Sequence, residues 1–178
     1  TAWSKNVLSS ASSDLSIQNM KKTGIEWVAL TVFCFQDDRN STVIEEDFKR
    51  YSASQPSLAH AIAQIHAAGM KVMLKPHVDM RTGEWRAYIQ PSPAWFAAYE
   101  EFIVNWARFA TGNGIDMLCI GCEFVDAAEK NRWEEEWRRI IASVRAAYSG
   151  PLTYASNHGS EQFVPWWDAV DYIGIDAY

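Results

Sequence analysis

The chain has 178 residues and a net charge of −6, and 48% of its residues are apolar. This composition excludes an intrinsically disordered chain, and no run approaches the ~18 uninterrupted apolar residues that a membrane helix needs. The acidic balance argues against a nucleic-acid partner, because such binding relies on Lys and Arg facing phosphates. We expect one globular domain over residues 1–178, with neither a membrane nor a nucleic acid as partner.

Short β-rich runs alternate with amphipathic helical patterns along the chain. In chain order, the sequence predicts helix 14–22, strand 27–35, helix 57–68, strand 71–78, helix 94–111, strand 117–124, helix 132–148, strand 152–157 and strand 172–178. Gly24, Gly69, Gly112 and Gly150 each follow a helical run, where a left-handed cap favours glycine. Strands that alternate with helices in this way predict parallel βαβ units.

The two faces of each predicted strand differ in polarity. In the second strand one face carries Lys75, His77 and Asp79, whereas the other has only Val, Leu and Pro. In the third strand Glu123 shares a face with Met, Cys and Gly, and Cys122 shares the other with Leu and Ile. A doubly wound sheet would be apolar on both faces, whereas a barrel gathers polar groups at the C-terminal ends of its inward faces. The pattern predicts an α/β fold, a (β/α)8 TIM barrel present as an incomplete barrel of about strands two to six.

Two of the three cysteines form a C-x-x-C spacing. Cys119 and Cys122 fall in a strand, where residues three apart point to opposite faces, so a metal or redox pair is not expected there. No tight cluster of histidines and carboxylates occurs elsewhere, and no Gly-rich phosphate loop follows a strand. The sequence therefore predicts neither a metal nor another cofactor.

The C-terminal ends of parallel strands meet at one edge, so the polar residues near those ends should converge. This set consists of Lys75, His77, Asp79, Glu123, Asn157, Asp176 and Tyr178. Glu123 is the leading catalytic candidate, because a carboxylic acid there could protonate a glycosidic oxygen and then deprotonate water. An ordinary strand-end glutamate in a salt bridge is the alternative.

The other members of this set also have structural alternatives. His77 could bind sugar hydroxyls or be a buried structural histidine. Lys75 inside a barrel needs a charged or hydroxyl partner, and Asp176 is a plausible one, in a pair that could be purely structural. Tyr178 could hold a carboxylate in place or simply pack.

Aromatic residues are abundant, with nine Trp, seven Tyr and eight Phe. Trp85, Trp95, Trp166 and Trp167 lie in polar surroundings. The apolar face and polar tip of an indole suit the C–H faces and hydroxyl rims of sugars, with core packing as the alternative for each residue.

Five segments resemble one known family in the same order along nearly the whole chain: EWVALTVFCFQDD, KVMLKPHVDM, IDMLCIGCEF, GPLTYASNHG and DYIGIDAY. They are similar to glycoside hydrolase family 113, whose members are TIM-barrel enzymes, chiefly endo-β-1,4-mannanases. The resemblance implies retaining hydrolysis of a polysaccharide or oligosaccharide by double displacement. The family's acid/base ends the fourth barrel strand, and that position is Glu123. The family's nucleophile ends the seventh strand, so we expect this chain alone to be inactive.

The resemblance also implies substrate-binding positions. Lys75, His77 and Asp79 map to the third barrel strand, Arg86 resembles an arginine near the family's site, and Asn157 and Tyr178 match positions lining the sugar subsite. With Asp176, the partner expected for Lys75, these residues form the predicted substrate-binding set. Cys122 stands where much of the clan has an Asn that binds the sugar 2-hydroxyl, which weakens the preference for mannose over glucose.

Two other functions stay open at this point. One is an endo-β-1,4-glucanase, and the other is a non-catalytic carbohydrate-binding or structural barrel. We expect a monomer that is secreted, because polymeric substrates require it, although no signal peptide is visible in the sequence.

Overall fold

The computed structural model describes residues 4–129 and 131–177, and within them five strands form one parallel sheet. The strands are β1 Trp27–Gln36, β2 Lys71–Met80, β3 Met117–Cys122, β4 Leu152–Asn157 and β5 Tyr172–Asp176. Their order in the sheet is β1-β2-β3-β4-β5, the same as in the sequence. A doubly wound sheet reverses its strand order at a switch point, whereas a barrel wall does not. The prediction of an α/β fold with parallel strands is confirmed.

In the described residues, one α-helix precedes β1, α-helices lie between the consecutive strands from β1 to β4, and 3-10 helices lie between β4 and β5. The α-helices are α1 Ala11–Lys22, α2 Gln55–Ala67, α3 Pro93–Gly112, α4 Val125–Ala128 and α5 Glu134–Ala147, with short 3-10 helices at Val7–Ser9, Arg86–Tyr88, Asn131–Trp133, Glu161–Phe163 and Trp167–Ala169. The oxygens of Ser54 and Ser92 accept the backbone N–H of Ser57 and Trp95 at the starts of α2 and α3. Each start also has a proline in the first turn, which suits a position with no intrahelical partner. None of the helices described combines the length and apolar character needed to cross a membrane.

The core lies between the outward faces of the strands and the helices, and it is rich in aromatic rings. Trp95 stacks on Tyr99 with ring centroids 4.9 Å apart, and Trp137 stacks on Trp166 at 4.8 Å. Such pairs contribute about 0.5–1.5 kcal/mol each beyond the area that they bury. Trp95 and Trp166 are fully buried, so for these two the core alternative holds. The layer gives β3 and β4 a rigid support.

β3 departs from the simple alternation that the sequence predicts. Its register with β4 shifts between Cys119 and Cys122, and both cysteines pack with Ala155 in one interior cluster. The expectation that the two cysteines face opposite sides is therefore wrong, because a bulge re-aims the side chains that follow it. Gly121 is turned outward instead, since a Cβ there would lie 3.1 Å from the buried ring of Tyr154. The irregularity places Cys122 inside the sheet, immediately before Glu123.

Candidate active site

Glu123 follows the last residue of β3 in an unusual backbone conformation. Its φ is 57°, the one positive value among the non-glycine residues described. Left-handed backbone at a residue with a long side chain is disfavoured and persists only where its surroundings enforce it. Here the backbone N–H of Glu123 donates to the carbonyl of Ala155 at 2.8 Å, which ties the turn to β4. The residue is only 5% exposed, so the turn places a buried carboxyl group at the C-terminal end of the sheet, which we call the C-terminal rim.

Two donors from the loop after β2 hold one oxygen of Glu123. The indole Nε1 of Trp85 lies 3.1 Å from Oε2, and Nη1 of Arg86 lies 3.0 Å from the same atom. The Arg86–Glu123 pair is largely buried, with side chains 12% and 7% exposed. A carboxyl group with one oxygen that accepts from a neutral and a cationic donor is fixed in orientation.

Arg86 also joins Glu123 to Asp79 at the end of β2. Its Nε donates to Oδ1 of Asp79 at 2.8 Å, and its Nη2 lies 2.6 Å from the same oxygen. Tyr51 donates its hydroxyl to the other oxygen of Asp79 at 3.3 Å. Burial acts to lower the pKa of Arg86, but Asp79, Cys122 and Glu123 raise it above its usual value. The guanidinium is therefore a permanent positive charge between two carboxyl groups.

A second ion pair crosses the interior from β2 to β5. Nζ of Lys75 lies 2.6 Å and 2.8 Å from the two oxygens of Asp176, so the pairing expected from the sequence is present. Burial acts to lower the pKa of Lys75, whereas Cys122 and Asp176 raise it, and the net direction is upward. Burial raises the pKa of the Cys122 thiol far above its usual range, so the thiol donates to Asp176 at 3.1 Å.

Three potential metal ligands lie close together in this region. One atom each from Cys122, Glu123 and Asp176 falls within 4.8 Å of the others. However, Lys75 already neutralises Asp176, and Arg86 already neutralises Glu123. A metal ion would need to displace both cations and the thiol proton, so the charges do not fit a cation site.

Several buried polar atoms lack hydrogen-bond partners within the part of the chain described, and two of the groups concerned lie at this rim. They are the ring of His77, with both nitrogens, and Nδ2 of Asn157. The ring of His77 meets Phe33 edge-on, with centroids 5.3 Å apart. Burial, with the positive charges of Arg86 and Lys75, lowers the pKa of His77 to about 2, so the ring is neutral. Buried polar groups are normally satisfied, so these nitrogens are suited to a bound hydroxyl or water.

A cavity of about 490 Å³ opens beside Asn157. Its lining consists of Trp85, Val125, Asn157, His158, Ser160 and Asp176. Trp85 is 43% exposed there, unlike the buried Trp95 and Trp166. Trp167 packs against the core. Of the four indoles that the sequence singled out, Trp85 is the one that offers a face beside Glu123.

The predicted site residues fall into three groups. Lys75, His77, Asp79, Arg86, Glu123 and Asp176 come together at the C-terminal rim, with the contacts given above. Asn157 lines the adjoining cavity. Tyr178 lies outside the described residues. The structure fixes these positions, while the binding of substrate by each residue stays a prediction.

Two residues that belong to this network were not predicted to be site residues. Trp85 was singled out only as one of four indoles suited to sugars, although its position directly before Arg86 was a signal that it belongs to the site. Tyr51 lies in the segment between β1 and α2, where no periodicity indicates which way a side chain points. Only the fold brings its hydroxyl to Asp79.

Solved structures similar to this chain are hydrolases with TIM barrels. The family 113 β-mannanase AaManA from Alicyclobacillus acidocaldarius, in complex with ManMIm, matches 99% of this chain at 32% identity and a TM-score of 0.91. A family 113 β-1,4-mannanase matches 99% of the chain at 29% identity and a TM-score of 0.89. The endoglucanase Cel5A of Pseudomonas stutzeri, at 13% identity and a TM-score of 0.53, shares the fold alone. The prediction of an incomplete TIM barrel is confirmed.

This chain is shorter than the two family 113 structures. This chain spans 58% and 60% of the lengths of the two family 113 structures. A search of curated protein sequences gave no significant match. The sequence profile of Glycoside Hydrolase Family 113, by contrast, matches residues 3–178. The family prediction is therefore confirmed, and the chain belongs to glycoside hydrolase family 113.

Proposed function

We propose that this chain supplies the acid/base side of the active site of a retaining endo-β-1,4-mannanase, with Glu123 as the acid/base. One observation carries the proposal. A buried carboxyl group at the C-terminal rim has one oxygen held by Trp85 and Arg86, next to a cavity of about 490 Å³. Sites at this end of a barrel are where TIM-barrel enzymes carry out their chemistry.

In this mechanism Glu123 acts twice. It first protonates the glycosidic oxygen as the bond to the leaving sugar breaks, and it then takes a proton from the attacking water. Between the two steps Glu123 is ionised, and Arg86 at 3.0 Å stabilises that charge. The unpartnered nitrogens of His77 and Asn157 would bind hydroxyls of the reacting sugar.

A second carboxyl group, that of Asp176, also lies near Glu123. The two are within 4.8 Å, not far from the separation of about 5–5.5 Å in retaining glycosidases. Both oxygens of Asp176 nevertheless contact the ammonium of Lys75, and Oδ2 also accepts from Cys122. A carboxylate held in this way is a poor nucleophile, because its electron pairs are already engaged. We therefore assign the nucleophile to none of the described residues.

Mannan is proposed as the substrate because the two family 113 relatives are β-mannanases. An endo-β-1,4-glucanase is the rival within enzymes. The Cys122 thiol donates to Asp176, so recognition of a sugar 2-hydroxyl falls to other groups. A secreted, monomeric protein is part of the same proposal, since a polymeric substrate is met outside the cell.

The test is hydrolysis by the full-length natural protein, with β-1,4-mannan and carboxymethyl cellulose as substrates. We expect release of reducing sugar from mannan, and a loss of about 100- to 10,000-fold in Glu123→Gln. The matched control is Glu129→Gln, which replaces another buried glutamate whose Oε1 contacts Ser156 instead. Thermal unfolding of both variants shows that they fold.

Each outcome separates the candidate functions. Cellulose cleavage in preference to mannan would favour the glucanase, and full activity in Glu123→Gln would leave a sugar-binding or structural barrel. The 178-residue chain alone is expected to be inactive in the same assay, because it carries no assigned nucleophile. Robust hydrolysis by that chain would contradict the assignment.

A further inference from the structure

Trp85 donates a hydrogen bond to Glu123, the proposed acid/base, and its side chain also lines the cavity. Nε1 donates to Oε2 of Glu123 at 3.1 Å, while the side chain is one of those lining the cavity. The residue remains 43% exposed. Tyr88 packs edge-on against it, with centroids 5.7 Å apart and an interplanar angle of 86°. The indole is thus oriented by a hydrogen bond on one side and a ring contact on the other.

The hydrogen bond determines which oxygen of Glu123 is kept unprotonated. Oε2 accepts from both Trp85 and Arg86, and an oxygen facing two N–H donors cannot itself carry a proton without losing one of them. The transferable proton is therefore placed on Oε1. Since a general acid must be aligned with the leaving oxygen, an N–H that fixes this rotation contributes directly to proton transfer.

The exposed ring of Trp85 lines the cavity beside the hydrogen-bonded carboxyl group of Glu123. The unpartnered nitrogens of His77 and Asn157 belong to β2 and β4, in the interior, and suit the reacting sugar. Trp85 comes from the loop after β2, on the rim beside Glu123. A leaving sugar whose glycosidic oxygen is close enough to receive the proton from Glu123 is within reach of this loop. An aromatic face offers such a ring an apolar platform.

We propose that Trp85 is a positioning residue for Glu123 and that its exposed face is the platform for the sugar that leaves. The inference rests on the proposed glycoside hydrolase function and adds a specificity determinant to it. The two roles are separable by chemistry, because phenylalanine keeps an aromatic face but has no N–H donor.

The experiment compares two substrates of the full-length protein. One is a mannooligosaccharide, whose leaving sugar needs a proton. The other is 2,4-dinitrophenyl β-mannobioside, whose leaving group departs without one. We expect Trp85→Phe to lower kcat and kcat/KM on the mannooligosaccharide by about 10-fold, with little change in KM. On the activated substrate kcat/KM should change little, because that ratio does not include the later step in which Glu123 deprotonates water. Trp85→Ala should lower kcat similarly and also raise KM for the mannooligosaccharide by about 10-fold.

The matched control is Phe48→Ala. Phe48 is a similarly exposed aromatic residue, at 41%, that packs against Lys5 instead. It should leave both substrates unaffected. Equal losses of kcat/KM on both substrates in Trp85→Phe, or no loss on either, would overturn the positioning role. An unchanged KM in Trp85→Ala would overturn the platform.

Failure of the proposed function gives a different result. If the wild-type protein hydrolyses neither substrate, the glycoside hydrolase proposal is overturned, and the role of Trp85 with it. If the wild-type protein is active and only the selective effect is missing, the inference about Trp85 alone is wrong.

Discussion

The ring of His77 is neutral because of where it is buried, and this makes folding sensitive to mild acid. Burial, Arg86 and Lys75 lower its pKa from 6.5 to about 2. Below pH 6.5 the His77 side chain binds a proton in the unfolded chain but not in the folded one. The free energy of unfolding therefore falls as the pH drops from about 6.5 towards 2. Well inside this pH range, the free energy of unfolding falls by about 1.4 kcal/mol for each pH unit.

We predict that His77→Phe removes this dependence. Between pH 7 and pH 5 the wild-type protein should lose about 2 kcal/mol of unfolding free energy more than the variant, as measured by urea denaturation. The lowered pKa values of Asp47, Asp168 and Asp171 act below their usual 3.8, outside this range. His158→Gln serves as the histidine control. Parallel pH curves for wild type and His77→Phe would contradict the prediction.

At the scale of elements, the pairing of β5 with β4 depends on a small residue. A Cβ at Gly174 would lie 2.4 Å from the carbonyl oxygen of Tyr154 and 2.9 Å from Oγ1 of Thr153. The first of these is backbone, which cannot rotate away. Gly174→Ala should therefore destabilise the protein by about 1–3 kcal/mol in chemical denaturation.

Gly112→Ala is the matched control for this prediction. Gly112 is the last residue of α3, and a Cβ there would meet no atom within 4 Å. This substitution should be neutral or stabilise by up to about 1 kcal/mol, because alanine favours a helix. If both variants lost the same stability, the contact with Tyr154 would not be the cause.

The strands differ in how well the sequence predicts which side of the sheet their side chains face. Apolar alternation predicted β2 well, because its polar and apolar faces are regular over the whole strand. The same rule misplaced Cys122 and Gly121, since a bulge depends on pairing with β4 and leaves no periodic signal. Polar residues at strand ends indicated most of the site for a general reason, the convergence of parallel strands. Tyr51 was missed because only tertiary structure places its segment beside Asp79.

At the scale of the whole molecule, the described sheet has an apolar edge. Among the residues described, β5 pairs with β4 alone, and Tyr172, Ile173 and Ile175 are 55%, 61% and 44% exposed. Exposed apolar edge strands template pairing with other chains. We predict that the 178-residue chain produced by itself associates in a concentration-dependent manner, as measured by sedimentation velocity.

Ile173→Lys tests this prediction, because a charge on an edge strand opposes such pairing. The variant should shift the chain towards monomer at equal concentration. A wild-type chain that stays monomeric at high concentration would show that the exposed β5 edge does not cause self-association.

The loop after β2 has a consequence for engineering. Both donors to Oε2 of Glu123 are adjacent residues, Trp85 and Arg86, whereas Glu123 itself belongs to the end of β3. The orientation of the acid is thus encoded in a short stretch that contributes no strand to the barrel wall. Under the proposed mechanism, redesign confined to this stretch would change proton transfer and binding of the leaving sugar together, without altering the strands of the sheet. By the same coupling, a library that varies Trp85 for new substrates will also vary the orientation of the Glu123 carboxyl group.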